Sequence, residues 1–448
     1  MLMVGPLGSQ ITNAFFGILN SIWISKYVGD IGTSAVGIDV LWEQMARGFG
    51  LFLMCAASTQ ICKLFGKCEF KEAEQVVCDL LRVALICGIV VPALLLPINK
   101  PCSKWFGASD IVTDAAFRYL LPQCVGSVFT CLFLACCGFL QAEGRTLLIG
   151  IIYLISLGIG MGALNPLFLA VFKTGIIGPS IVVVICDGVP GIILIILYFC
   201  GVFDIKPSLK GLFKPFSHAT YQGLLVGSSQ LILQICMNLP GILVRKLIGK
   251  SVANSEEYEY AMAGFNTLCR YQAFINMVVL ALCAGYLPAA SYAYSADMCK
   301  RYLHLTIHLN WLSLIWCVIT TTLCFVFPKQ ISKLFGKGEK YIYYSSNMLK
   351  NGNIVTFILF TRLTIQNILQ SQQKGIRAMI ISVISNFVSH ITFVTVLYVT
   401  NKHNVVRLMY VYPISYSLGF ILGSILLIRP LYEVIKKSKS DMEGYTEI

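Results

Sequence analysis

Long stretches of this chain carry no charged residue, among them residues 1–25, 146–172 and 408–428. A helix rises 1.5 Å per residue, so about 20 apolar residues cross the roughly 30 Å hydrocarbon core of a bilayer. The runs are continuous and lack the in–out alternation of barrel strands, which predicts helices that satisfy their own backbone in lipid. About twelve spans follow by length, near 3–25, 34–61, 76–98, 113–140, 147–172, 176–203, 221–248, 260–287, 303–327, 343–369, 378–399 and 405–428. Between the sixth and seventh lies a polar stretch, 204–217, with Pro207, Gly211, Pro215 and three lysines, which predicts a linker. The expected organisation is a first lobe (1–203), a cytoplasmic linker (204–217), a second lobe (218–430) and a cytoplasmic tail (431–448). The fold class is all-α and polytopic.

The two halves repeat each other. Residues 8–29 align without a gap on 228–249, matching Ser9 with Ser229, Gln10 with Gln230, Ile22 with Ile242, Lys26 with Lys246 and Gly29 with Gly249. Ser103–Gly107 then matches Ser332–Gly336, and Leu140–Ala142 matches Leu369–Ser371. Six spans per half predicts two pseudo-symmetric six-helix lobes, and duplications of this kind set a substrate path at the repeat interface.

Composition narrows the class. Charged residues make up 12% of the 448, half the share of an ordinary soluble domain, and 57% are hydrophobic. The net charge of +13 is spread over loops and tail and suits anionic lipid headgroups rather than nucleic acid. The 18 cysteines, among them Cys55, Cys87, Cys136, Cys137 and Cys283, fall mostly within apolar runs, form no CxxC pair and show no zinc spacing. His304 and His308 share a helix face without a third ligand, so no metal or cofactor is expected. The segment before Lys26 has no basic leader and is expected to be a full span. Lys436, Lys437 and Lys439 favour cytoplasmic termini, whereas Lys329, Lys333, Lys337 and Lys340 pull the loop bias the other way; both termini are expected in the cytoplasm.

An ionisable group at mid-membrane costs about 2.5–3.5 kcal/mol or more, so each one calls for a reason. The first half places Glu43, flanked by Asp39 and Arg47, and Asp187 at depth; the second places Arg270, Arg362 and His390 there. No Asp or Glu occurs from Lys340 to Tyr432, so a proton-carrying carboxylate is expected in the first half. The repeat sets Glu43 opposite Arg270, and an ion pair between them is expected to gate one side of the path; the alternative is local pairing of Glu43 with Arg47, one turn away. Asp187 sits beside Gly188 and Pro190. It is either a site that loads and releases a proton, or an Asp hydrogen-bonded to a neighbouring span. Gln10, Gln230, Gln234 and Arg362 are the candidate cavity residues, against the plainer role of joining helices.

These segments together resemble the multidrug and toxic compound extrusion (MATE) family over nearly the whole chain. Asn20–Gly37 looks like that family's first-span exit, and Trp105-Phe-Gly-Ala-Ser-Asp110 with Ala116–Tyr119 like the stretch before its fourth span. Gly138–Thr146 and Leu164-Asn-Pro-Leu167 are similar to its G-x-L-x-A-x-G turn and L-D-P signature. The resemblance implies two lobes in a V, and export of small organic cations or drugs by alternating access against H⁺ or Na⁺. It also implies a membrane-embedded protein, in the plasma membrane or an internal one, contacting substrate and lipid, expected as a monomer.

The family commonly has Asp where this chain has Asn20 and Asn165, and an acid in the seventh span where only Gln222, Gln230 and Gln234 occur. An amide can help coordinate an ion but gives up no proton. Coupling is therefore expected to rest on Asp187 or Glu43, to use Na⁺ with help from Asn20 and Asn165, or to be absent. The alternative within transport is a flippase for lipid-linked precursors, which needs a basic cavity such as Arg270 and Arg362 supply. A membrane-embedded transferase needs paired aspartates or a His with an acid partner, and neither is present, so no enzyme activity is expected.

Overall fold

The computed structural model describes residues 4–105, 109–252, 255–336, 338–402 and 404–446. Residues 106–108 of the Trp105–Asp110 stretch and Lys337 lie outside the described residues. Every described element is helical. The first half runs α1 (Val4–Tyr27), α2 (Asp30–Gly66), α3 (Phe70–Trp105), α4 (Asp110–Val125), α5 (Ser127–Ala142), α6 (Thr146–Ile159) and α7 (Ile177–Phe199). The rest comprises α8 (His218–Ser251), α9 (Ser255–Ser295), α10 (Cys299–Val326), a short α11 (Pro328–Lys333), α12 (Glu339–Gly352), α13 (Leu359–Ser371), α14 (Gly375–Ser382), α15 (Ser389–Thr400) and α16 (Val411–Thr446).

Among the described residues nine helices are long and apolar enough to cross a membrane, or eleven when each bent pair counts as one span. The remaining long helix, α1, has 24 residues and carries Ser9, Gln10, Thr12, Asn13 and Asn20, and it is not among those nine. The chain is thus an integral, multi-pass, all-helical membrane protein. Helices overrun the predicted spans: α3 covers 70–105, against the 76–98 expected from hydropathy, because a helix continues past the hydrocarbon edge while side chains turn polar.

The chain forms two compact units. One comprises Met1–Ile235, Leu287–Asp297 and Gln370–Gly375; the other comprises Cys236–Tyr286, Met298–Leu369 and Ile376–Ile448. In the first unit α2, α3, α5 and α7 share a core of Leu53, Leu80, Phe133, Phe139 and Tyr198, where the Phe139 and Tyr198 rings meet edge-on at 5.5 Å. Outward faces remain apolar, with Ile89 and Leu154 exposed, as lipid permits. Two glycines set how closely helices cross. A Cβ on Gly5 would fall 1.9 Å from the Thr146 carbonyl oxygen, and one on Gly138 would fall 2.7 Å from the Met54 carbonyl. These are the α1–α6 and α5–α2 contacts.

The 204–217 segment, with a 3₁₀ turn at Leu209–Phe213, is tied to the first unit by a polar face of α3. Fully buried Asp79 is the hub. Its Oδ2 accepts from the Ser217 amide (2.8 Å) and Thr220 Oγ1 (2.7 Å); its Oδ1 accepts from Gln75 Nε2 (2.9 Å) and from Arg82. Gln75 also donates to Gly211 O and Arg82 to Lys214 O, and the Arg82 guanidinium covers the Phe216 ring. At the segment's start, Ile205 N donates to Glu143 Oε1 (3.0 Å), and Arg145 pairs with Asp204.

In the second unit the Tyr286 and Thr306 hydroxyls bond at 2.9 Å, Trp316 Nε1 donates to Ile275 O, and Ser382 Oγ donates to Gln366 Oε1. Breaks recur at matching places: α4 and α5 bend by 51° at Gly126, and α12 and the helix 356–371 bend by 47°. All 18 cysteines are free, and only Cys68 and Cys200 are exposed.

Candidate functional site in the first unit

Residues four apart on a helix stack on one face, and α2 uses that spacing to present Asp39, Glu43 and Arg47 in a line. Arg47 reaches from this line to α7, with Nη1 3.5 Å from Asp187 Oδ2, and to α6, with Nη2 donating to Tyr153 Oη at 3.0 Å. Thr130 Oγ1 donates to the same Asp187 oxygen at 2.9 Å. Glu43, half-buried, joins Arg47, Gln123, Thr130, Val184 and Asp187 around a cavity of about 20 Å³, room for one water.

The backbone explains why polar side chains converge here. Pro122 lacks the amide that would continue the α4 ladder, and the chain breaks at Gly126, so Gln123, Ser127 and Thr130 all lie beside the bend. Asp187 lies 6% exposed in a span, with Gly188 and Pro190 on its C-terminal side. Charge bookkeeping gives this arrangement its chemistry. One guanidinium faces two carboxyls, so with both acids ionised the group is one negative charge in excess. A proton, a monovalent metal cation or a cationic molecule would each neutralise that excess.

A second polar group is neutral. Asn165 Nδ2 donates to Asn20 Oδ1 at 3.2 Å, and Asn20 Nδ2 donates to Tyr119 Oη at 3.2 Å. Asn165 sits between two π-helical turns, Gly160–Leu164 and Leu167–Val171, and its Oδ1 has no hydrogen-bond partner among the described residues. Tyr119 lies one turn before Gln123 on α4, which links the amide pair to the acid-lined cavity. Asp39 also enters: Asn99 Nδ2 donates to its Oδ1 at 3.0 Å, while Oδ2 is buried without a partner among the described residues.

The structure brings Glu43, Asp187 and Arg47 together, and Asn20 with Asn165. Within the first unit the cavity candidates have other neighbours. Gln370 Nε2 donates to Ser229 Oγ (2.8 Å) and Gln230 Oε1 (3.4 Å), Gln234 packs at Gly48 of α2, and Gln10 is half-buried on α1. In the second unit, exposed Arg270 holds its guanidinium 5.8 Å from the Phe335 ring, and Arg362 is buried. Thr130, Tyr153 and Tyr119 were not legible as site residues, since hydroxyls in apolar runs carry no signal until their partners are known.

A family model described as MatE matches residues 7–166 and, a second time, 231–396. Among curated proteins, the multidrug export protein MepA of Staphylococcus aureus (strain N315) is 22% identical over 296 residues, 66% of this chain and 63% of its own. The match thus spans less than two thirds of that relative's length. MepA of Staphylococcus haemolyticus (strain JCSC1435) is 20% identical over 349 residues, 78% of this chain and 74% of its own. Among solved structures, a MOP superfamily transporter from Pyrococcus furiosus Vc1 superposes with a TM-score of 0.85 at 16% identity, covering 97% of this chain and 95% of the other. A MATE crystal structure in the bent conformation gives 0.83 at 16% identity, covering 98% and 96%. At such identities the likeness establishes the fold.

Proposed function

The chain belongs to the MatE family, and we propose on that premise that it exports small organic cations by antiport, with H⁺ as the exchanged ion. The observation that carries the reading is the partly buried Glu43–Arg47–Asp187 group, whose charges do not cancel. A site with one unanswered negative charge takes either a proton or a cationic cargo, and competition between them is what exchange requires. The proton is held at Asp187, whose Oδ2 already accepts from Arg47 and Thr130; loading it releases Arg47 toward Glu43 and Tyr153. Asn20 and Asn165 carry no titratable proton, so their part is to orient water or, in a Na⁺-coupled version, to offer carbonyl oxygens. The printed name of the staphylococcal relatives, multidrug export protein, supports the cargo class.

Ethidium efflux from proteoliposomes under an imposed pH or Na⁺ gradient tests the reading, with wild type and Asp187→Asn compared. Proton-driven efflux lost in D187N is the expected result. Efflux that ignores both gradients and the substitution refutes coupling at Asp187. A second reading, a flippase for lipid-linked precursors, draws on Arg362, a buried cation suited to an anionic headgroup. Its mark is absent ethidium transport together with inward or outward movement of a labelled lipid phosphate.

A further inference from the structure

Arg362 on α13 is 6% exposed, and no acid among the described residues pairs with it. A guanidinium stays protonated in proteins, so this position is always cationic. No Asp or Glu occurs from Lys340 to Tyr432, and none occurs on α10. What the structure does supply is partial. Nη1 donates to Asn386 Oδ1 in the π-helical turn Val383–Val388. The guanidinium carbon lies 4.9 Å from the centroid of the Tyr416 ring. Tyr416 neighbours Tyr412 at 6.2 Å, and Tyr412 meets the His390 ring edge-on at 5.4 Å. An amide dipole and a ring face each answer only part of a full charge.

The guanidinium geometry shows what is left over. With Nη1 occupied by Asn386, the remaining donor pair is the Nε–Nη2 edge, the side-on fork that grips an anion with two N–H groups. Nε is buried and donates to nothing among the described residues. Asn386 accepts on Oδ1, so its amide protons are further donors beside the same charge. We propose that Arg362 and Asn386, walled by Tyr412, Tyr416 and His390, bind a small monovalent anion of chloride's size as a structural counter-ion of the second unit. The site is independent of the proton exchange proposed at Asp187, whereas the flippase reading would give Arg362 to a lipid headgroup instead.

The test reads stability of the purified full-length chain in detergent, by melting in sodium chloride against sodium gluconate at equal ionic strength, with vesicles containing phosphatidic acid as a separate arm. Wild type is expected to melt about 3 °C or more higher in chloride, in a saturable way. Arg362→Gln removes the charge and should show no chloride shift. Asn386→Asp supplies an internal carboxylate; it should melt in gluconate as wild type does in chloride, and ignore the anion. That variant also keeps the test decisive if R362Q fails to fold. A wild type equally stable in both salts, or an equal shift in R362Q, overturns the proposal. An Arg362-dependent shift from phosphatidic acid and none from chloride overturns it too, because the occupant is then a lipid headgroup.

Discussion

Asp79→Asn changes one atom of a fully buried side chain, and the structure says what that atom does. Each carboxylate oxygen accepts from two donors: Gln75 and Arg82 on Oδ1, Ser217 N and Thr220 Oγ1 on Oδ2. An asparagine must turn one oxygen into an NH₂ group, which then faces two donors. If it replaces Oδ2, the Thr220 hydroxyl can rotate to accept, but the Ser217 amide cannot. If it replaces Oδ1, Gln75 can turn its amide only by giving up its bond to Gly211 O, and Arg82 cannot adapt at all. Either way one buried donor is orphaned and the charge that paired with Arg82 is gone. Those losses cost about 1–3 kcal/mol each, so roughly 3–4 kcal/mol in total. The assay is thermal melting in detergent together with limited proteolysis at 204–217. A drop of about 5 °C or more, with new cleavage in that segment, is expected. D79N melting with wild type, with 204–217 no more open to protease, would refute the reasoning.

Glu143 gives a pH effect with a definite sign. Burial raises its carboxyl from 4.5 to about 7, against the lowering effect of the Ile205 amide it accepts from. The folded state therefore binds a proton that the unfolded chain has released, so this residue's contribution to stability is present at low pH and is lost as pH climbs from about 4.5 to about 7. Glu143→Gln keeps an acceptor for Ile205 and cannot ionise; the difference in melting temperature between wild type and E143Q should therefore widen in favour of E143Q between pH 5 and pH 8, and a constant difference would contradict it. Gly138→Ala forces a methyl against the Met54 carbonyl and Ala57 where α5 crosses α2, and should lower stability by about 1–3 kcal/mol in the same assay.

The helices were legible because hydropathy reports on lipid directly: 221–248 against α8 at 218–251 and 303–327 against α10 at 299–326 differ only at the ends. Breaks were half legible. Pro122 stands within the predicted fourth span, 113–140, but the bend falls at Gly126, where no proline sits. The predicted span 343–369 was likewise continuous on paper and is broken after Gly352, where Thr356 Oγ1 donates to Asn353 Oδ1 while Asn353 Nδ2 donates back to Leu349 O of α12. For the site, Glu43 and Asp187 stood out as acids in apolar runs, yet nothing in sequence tells that Arg47 reaches a residue 140 positions on. The face Glu72–Gln75–Asp79–Arg82 was missed for the opposite reason. Near a span end polar residues look merely solvated, and only the fold shows them closing over the 204–217 segment.

The free thiols have a practical bearing on how this molecule can be watched. Sixteen sulfurs wholly or partly enclosed by packing act as compact filler, so assembly of the fold calls for no oxidant and proceeds alike in reducing surroundings. Two lie open, Cys68 in the turn after α2 and Cys200 at the end of α7, both in the first unit. The native chain thus offers two ready attachment points for a maleimide dye, without first stripping out the other cysteines. A reagent that cannot cross the bilayer would then report, cell by cell, which face of the membrane those two helix ends occupy.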